Sequence, residues 1–127
     1  MLTVEENVDS RMTTKSIDSS YVVFGLGKTG LSCACFLARL GEDLTVIDTR
    51  ATPPELGRLQ NSLPDVTVIT GVSSHALKVR CEVLVLSPGV SREHPIVAAA
   101  RCNGSEIIGD IELFARHAKA TVIAVTG

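Results

Sequence analysis

Apolar residues fall in short runs along this chain, separated by polar or glycine-rich breaks, and two periods alternate between them. Tyr21–Phe24 is a continuous apolar tetrad of strand character. Over Thr29–Leu40, Leu31, Ala34, Leu37 and Ala38 recur near one face, which predicts a helix. Gly41 follows in the position that glycine favours at a helix C-terminus. The alternation then repeats. Leu44–Ile47 predicts a second strand, and Glu55–Leu63 a short helix opened by Thr52-Pro53-Pro54, with Thr52 as its cap. Val66–Thr70 predicts a third strand, and Ser73–Val79 a loop or short helix. Val83–Leu86 is fully apolar, as buried parallel strands tend to be. Glu93–Cys102 predicts a helix stopped at Asn103-Gly104, Glu106–Ile108 a fifth strand, and Asp110 the N-cap of a helix over Ile111–Ala118. Thr121–Val125 reads as a sixth strand. Residues 1–18 keep no sustained period and predict a flexible leader. The expected organisation is that leader, a domain over 19–120, and the first strand of a second domain over 121–127.

Strands alternating with helices through short links predict an α/β fold, a Rossmann-like, mostly parallel sheet with helices on both faces. Right-handed crossovers would bring the segments after strands one, two and four out at the same carboxyl edge, where open α/β sheets bind ligands. Those segments are Gly25–Gly30, Asp48–Arg50 and Ser87–Gly89.

The first carries the G-x-G-x-x-G spacing at Gly25, Gly27 and Gly30. One glycine permits a tight turn, one lets a ligand approach the backbone, and one lets helix and strand pack closely. The helix that follows points free N–H groups and the positive end of its dipole over the turn, which suits a phosphate or pyrophosphate. Lys28 adds weight, because a cation in a helix's first turn costs about 0.3–1 kcal/mol unless an anion sits there. Asp48 lies 23 positions after Gly25, close to the offset of about 20 at which dinucleotide folds place an acid near the ligand. A carboxylate at a strand end serves equally well to cap the next turn.

A length of 127 residues suits one domain. The net charge of −2 and an aromatic share of 3% with no Trp give no electrostatic or stacking case for nucleic acid or an anionic membrane, so an anion site must be local. Cys33, Cys35, Cys81 and Cys102 form no C-x-x-C pair and no zinc array, and read as reduced, mostly buried small apolar residues of a cytoplasmic protein. The first twenty residues lack the apolar core of a signal peptide, and no apolar run is long enough to span a bilayer.

The crevice offers donors, one carboxylate and one guanidinium, but no catalytic set. Ser87 lacks the G-x-S-x-G elbow and is better placed to contact an anion than to act as a nucleophile. His75, His94 and His117 are dispersed and read as surface residues, His94 in an exposed turn before Pro95. Val122–Gly127 reads as a strand delivering a glycine turn, with Gly127 the start of a phosphate loop whose further glycine, lysine and hydroxyl residues are missing.

These residues resemble the Mur ligases of bacterial cell-wall synthesis. The likeness rests on G-L-G-K-T-G at 25–30, D-T-R with T-P-P at 48–54, S-P-G-V at 87–90, H-P at 94–95, G-D-I-E-L-F at 109–114 and V-I-A-V-T-G at 122–127, in order from Tyr21 onward. It implies an N-terminal domain that binds UDP-N-acetylmuramoyl-L-alanine. Gly27, Lys28 and Thr29 would lie against the pyrophosphate. Asp48, Thr49 and Arg50 would surround the uracil, a carboxylate accepting its imide N–H and a guanidinium stacking on the ring. Ser87, Pro88 and Gly89 would approach the nucleotide-sugar. The resemblance implies that the whole enzyme uses ATP and Mg²⁺ to make an acyl phosphate that the amine of D-glutamate attacks; a monomer is the expected state of this chain. Gly127 would belong to its ATP site, so this chain would bind substrate and carry no catalytic or metal-binding residue. Two other readings stay open: the NAD-binding domain of a dehydrogenase or sensor, with Asp48 on ribose hydroxyls, and a non-catalytic interaction module.

Overall fold

In a computed structural model of the chain, the described residues are 15–73 and 77–126. The strands are β1 (Lys15–Asp18), β2 (Tyr21–Phe24), β3 (Leu44–Ile47), β4 (Thr67–Ile69), β5 (Leu77–Arg80), β6 (Val83–Leu86) and β7 (Glu106–Gly109). The helices are α1 (Lys28–Arg39), α2 (Leu56–Ser62), α3 (Pro95–Cys102) and α4 (Asp110–Thr126). Five strands make a wholly parallel sheet in the order β4-β3-β2-β6-β7, while β1 and β5 form a separate parallel pair. The chain runs outward from β2 through β3 to β4, then returns to β6 on the other flank of β2. The strand order therefore reverses beside β2, and a crevice opens at such a point.

The central strands are buried on both faces, which explains their unbroken apolar runs. Side chains alternate across the sheet. Val22, Phe24, Ile47, Leu84 and Leu86 join one core with Ile96, Val97 and Ala100 of α3. Val23, Val46 and Val85 join the other with Cys33, Ala34 and Leu37 of α1, Leu59 of α2 and Leu113 of α4. The α/β class with a mostly parallel sheet between helices is thus the observed architecture.

Five sequence-based expectations give way. Residues 15–18 of the expected leader form β1, whose Ile17 is 4% exposed and belongs to the α3-side core; residues 1–14 lie outside the described part. In the expected loop or short helix over Ser73–Val79, Leu77 and Val79 turn inward and Lys78 and Arg80 outward, the period of a strand. With β1 as partner, β5 covers part of the sheet face that α3 leaves. The third departure is Thr121–Val125, which continues α4 rather than forming a sixth strand. The segment pairs with neither edge strand of the main sheet, β4 or β7, and closes its backbone hydrogen bonds within a helix. Finally, Glu55 rather than Thr52 stands at the N-cap of α2, and Asp110 is the first helical residue of α4 rather than its cap.

Of the cysteines, only Cys33 is fully buried. Cys35 and Cys81 are half-buried, Cys102 is exposed at the end of α3, and all four are free thiols. Burial, joined by the nearby charge of Asp110, pushes the Cys33 thiol up to about 11. Among the described residues no helix is long and apolar enough to cross a membrane.

Candidate functional site

Register builds the crevice. Phe24 is level with Ile47 of β3 on one side and with Leu86 of β6 on the other. The next residues, Gly25, Asp48 and Ser87, therefore leave the sheet side by side. Two hydrogen bonds carry the ladder one step further, from Gly25 N–H to the Ile47 carbonyl at 2.9 Å and from Ser87 N–H to the Phe24 carbonyl at 3.0 Å. Beyond them lies a cavity of about 540 Å³, within the range of small-molecule sites.

The three glycines of the turn have separate reasons. Gly25 has φ +104°, and a Cβ there would stand 2.7 Å from the Ser87 Cβ and 2.9 Å from a Val90 methyl carbon. A Cβ on Gly30 would lie 1.9 Å from the Gly25 carbonyl oxygen, so glycine alone lets α1 start this close to β2. Gly27 is different: a Cβ there meets nothing within 4 Å, and the residue lines the cavity. The protein itself does not need glycine at Gly27, whereas a ligand lying on its backbone would.

Gly27 is also the N-cap of α1. No side chain caps that end and no acid occupies its first turn, so the first N–H groups and the helix dipole face the cavity uncompensated. Lys28 and Thr29 stand beside them on the cavity wall.

On the β3 side, Asp48 is 2% exposed. Its Oδ2 accepts from Leu26 N–H at 2.7 Å and from Arg50 Nη2 at 2.8 Å, and its Oδ1 from Arg50 N–H at 2.7 Å and Arg50 Nε at 3.0 Å. Burial alone would raise its pKa. The hydrogen bonds from the Arg50 guanidinium and the two backbone N–H groups outweigh burial and hold the carboxyl below its usual range. A carboxylate has about four lone-pair directions, and all four are occupied. Asp48 thus pins the glycine turn at Leu26 and fixes the plane of a guanidinium whose side chain remains 53% exposed. Lys28 and Arg50 against Asp48 leave the lining one positive charge in excess.

On the β6 side the wall is made by Ser87, Pro88, Gly89, Val90 and Ser91, with His94 behind them. Every residue singled out for this crevice from the sequence, Gly27 to Thr29, Asp48 to Arg50 and Ser87 to Gly89, lines the one cavity. Gly127 lies outside the described residues, as does His75. Sequence reasoning passed over Ser91 and His94. His94 is half-buried, caps α3 by accepting from Ile96 N–H at 3.1 Å, and stands edge-on to Phe24. The signal available was Pro95, which favours the first position of a helix and so brought a helix start to the strand end. His117 is likewise half-buried, edge-on to Phe36 with Nδ1 3.0 Å from the Leu113 carbonyl, so neither is the surface residue expected.

The arrangement can bind an anionic, partly planar ligand through backbone N–H groups, hydroxyls and two cations. Among the described residues no group of three or more His, Cys, Asp or Glu side chains could hold a metal ion.

Comparison with known proteins gives this geometry a context. Residues 19–109 match the model of the family described as Mur ligase MurD-like, N-terminal domain. Proteins named UDP-N-acetylmuramoylalanine--D-glutamate ligase are similar to the chain: 47% identical over 111 residues in Nitrosococcus oceani, 46% over 112 in Coxiella burnetii and 42% over 116 in Pseudomonas fluorescens. These alignments cover 87%, 88% and 91% of the chain and 24%, 25% and 26% of the relatives. The chain therefore spans about a quarter of the length of the curated relatives it matches.

Proposed function

This chain belongs to the Mur ligase family as a MurD-like N-terminal domain, and we propose from that premise that its crevice binds the UDP portion of UDP-N-acetylmuramoyl-L-alanine. The observation that carries the reading is the level exit of three strand ends around one cavity, with an uncapped helix N-terminus at its centre. The diphosphate lies over Gly27, Lys28 and Thr29, where N–H groups and a cation meet it. Uracil lies at the Thr49–Arg50 flank. There Arg50 offers an exposed planar face for stacking, and Asp48 supports the site by holding Arg50 and Leu26 in place. Ser87, Pro88 and Gly89 face the sugar side.

The substrate-binding domain in this reading is 19–120, extended by β1. Full-length members join D-glutamate to the bound substrate in an ATP- and Mg²⁺-dependent, cytoplasmic amide-forming reaction that serves peptidoglycan synthesis. We assign neither ATP nor Mg²⁺ to the described residues of this chain, and we assign bond formation to other parts of such enzymes. The chain acts here as a monomeric substrate cradle. Calorimetric titration with UDP-N-acetylmuramoyl-L-alanine and, separately, NAD tests the reading. Saturable binding of the UDP ligand alone is expected; saturable NAD binding without a response to the UDP ligand overturns it in favour of a dehydrogenase-type domain.

A further inference from the structure

His94 stands where the β6 side of the crevice meets the start of α3. Its Nδ1 accepts the Ile96 N–H, so that nitrogen carries no proton, and a neutral imidazole must then carry its proton on Nε2. The ring is held a second time by Phe24, with centroids 5.0 Å apart and planes at 88°. Phe24 is the last residue of β2, directly before the glycine turn. Among the described residues Nε2 has no hydrogen-bond partner, although the half-buried residue lines the cavity. Tautomer and ring orientation are thus set by contacts within the protein, and one N–H donor is left over on the cavity wall.

The sheet order says which part of a ligand that donor meets. The end of β3, with Thr49 and Arg50, flanks the turn after β2 on one side, and the end of β6, followed by His94, flanks it on the other. A ligand with its uracil at Arg50 and its first phosphate over Gly27 and Lys28 runs toward His94 with its second phosphate. We infer that His94 is a specificity-determining contact whose Nε2–H donates to an oxygen of the sugar-bearing phosphate, so that the crevice distinguishes a uridine diphosphate from a monophosphate. The inference rests on the uridine reading given above.

Two substitutions separate the two ring nitrogens. In H94N the amide oxygen takes the place of Nδ1 and keeps the cap on Ile96, but nothing replaces Nε2. In H94Q the longer amide reaches the Nε2 position while the cap is lost. UMP and UDP are titrated into wild type and both variants by calorimetry, with thermal midpoints measured in parallel. H94N is expected to melt within a few degrees of wild type, to bind UDP about ten- to a hundredfold more weakly, the usual worth of a hydrogen bond to a charged group, and to bind UMP as wild type does. H94Q is expected to melt lower and to keep its UDP affinity. UDP binding by H94N at wild-type strength, or an equal loss for UMP and UDP, overturns the inference and leaves the uridine reading intact. Should H94N fail to fold, H94Q decides: retained UDP affinity supports the donor, and a tenfold loss overturns it. A wild-type chain that binds neither nucleotide overturns the uridine reading and this inference together.

Discussion

Asp48→Asn tests the organisation of the crevice with almost no change of shape. The carboxylate accepts four hydrogen bonds, two at each oxygen. An amide offers one acceptor oxygen and, in place of the other, an NH₂ that itself donates, so two of the four donors lose their partner whichever way the amide turns. The cheaper orientation puts the amide oxygen on the Oδ2 side, which keeps the buried bond from Leu26 N–H and orphans Arg50 N–H and Nε, both in part-buried bonds. A backbone donor left unpaired away from water costs about 1–3 kcal/mol. The Arg50 guanidinium is half-exposed and regains water, so its loss adds no more than about 1 kcal/mol. The expected cost is about 1–4 kcal/mol near neutral pH, a sizeable part of the ~5–15 kcal/mol that domains possess. Urea unfolding at neutral pH reads it as a lower midpoint at unchanged slope. The sign with pH is also determined. A carboxyl whose folded pKa lies below its unfolded value contributes fully above the unfolded value, about 3.9, and loses that contribution as pH falls through the folded one. The gap between wild type and D48N should therefore narrow in acid. A variant within about 0.5 kcal/mol of wild type at pH 7, or a gap that widens on acidification, refutes the argument.

Two further perturbations separate structural from ligand-facing positions. Gly27→Ala adds a Cβ into open space and should cost only the N-cap difference between Gly and Ala, up to about 1 kcal/mol, while weakening UDP binding, whereas Gly30→Ala drives a Cβ into the Gly25 carbonyl and should cost about 1–3 kcal/mol or more; differential scanning fluorimetry with and without UDP reads both. Ile17→Ala removes a side chain packed in the α3-side core and should destabilise by about 2–5 kcal/mol, and a neutral result in urea unfolding would return residues 15–18 to the role of a loose leader.

The likeness between sequence and structure is strongest where structure depends on near neighbours along the chain. The apolar tetrads Tyr21–Phe24, Leu44–Ile47 and Val83–Leu86 are strands, and the 3.6-residue recurrence through Ala34 and Leu37 is a helix closed at Gly41, where φ is +76°. In each, the side-chain pattern states the backbone period directly. The glycine at Gly30 was legible for the same reason, since its clash is with the Gly25 carbonyl in the same turn, whereas the close approach that Gly25 permits comes from Ser87 and Val90, more than sixty positions away. Short polar-apolar segments were harder to read. Lys15–Asp18 and Leu77–Arg80 become strands only because each is the other's partner across some sixty positions, and Thr121–Val125, apolar enough for a strand, instead continues the helix that begins at Asp110.

The site divides the same way. The sequence by itself determined which residues could meet a phosphate and which segments leave the sheet, because motif spacing and strand order follow from local period and chain handedness. Only the tertiary structure decided what each side chain has left to offer. Asp48 proved to be occupied, with both oxygens turned to Leu26 and Arg50, while His94, read as a surface residue, proved to be fixed at one nitrogen and open at the other. Hydrogen-bonding capacity is finite, and how much of it remains for a ligand depends on neighbours that folding alone supplies.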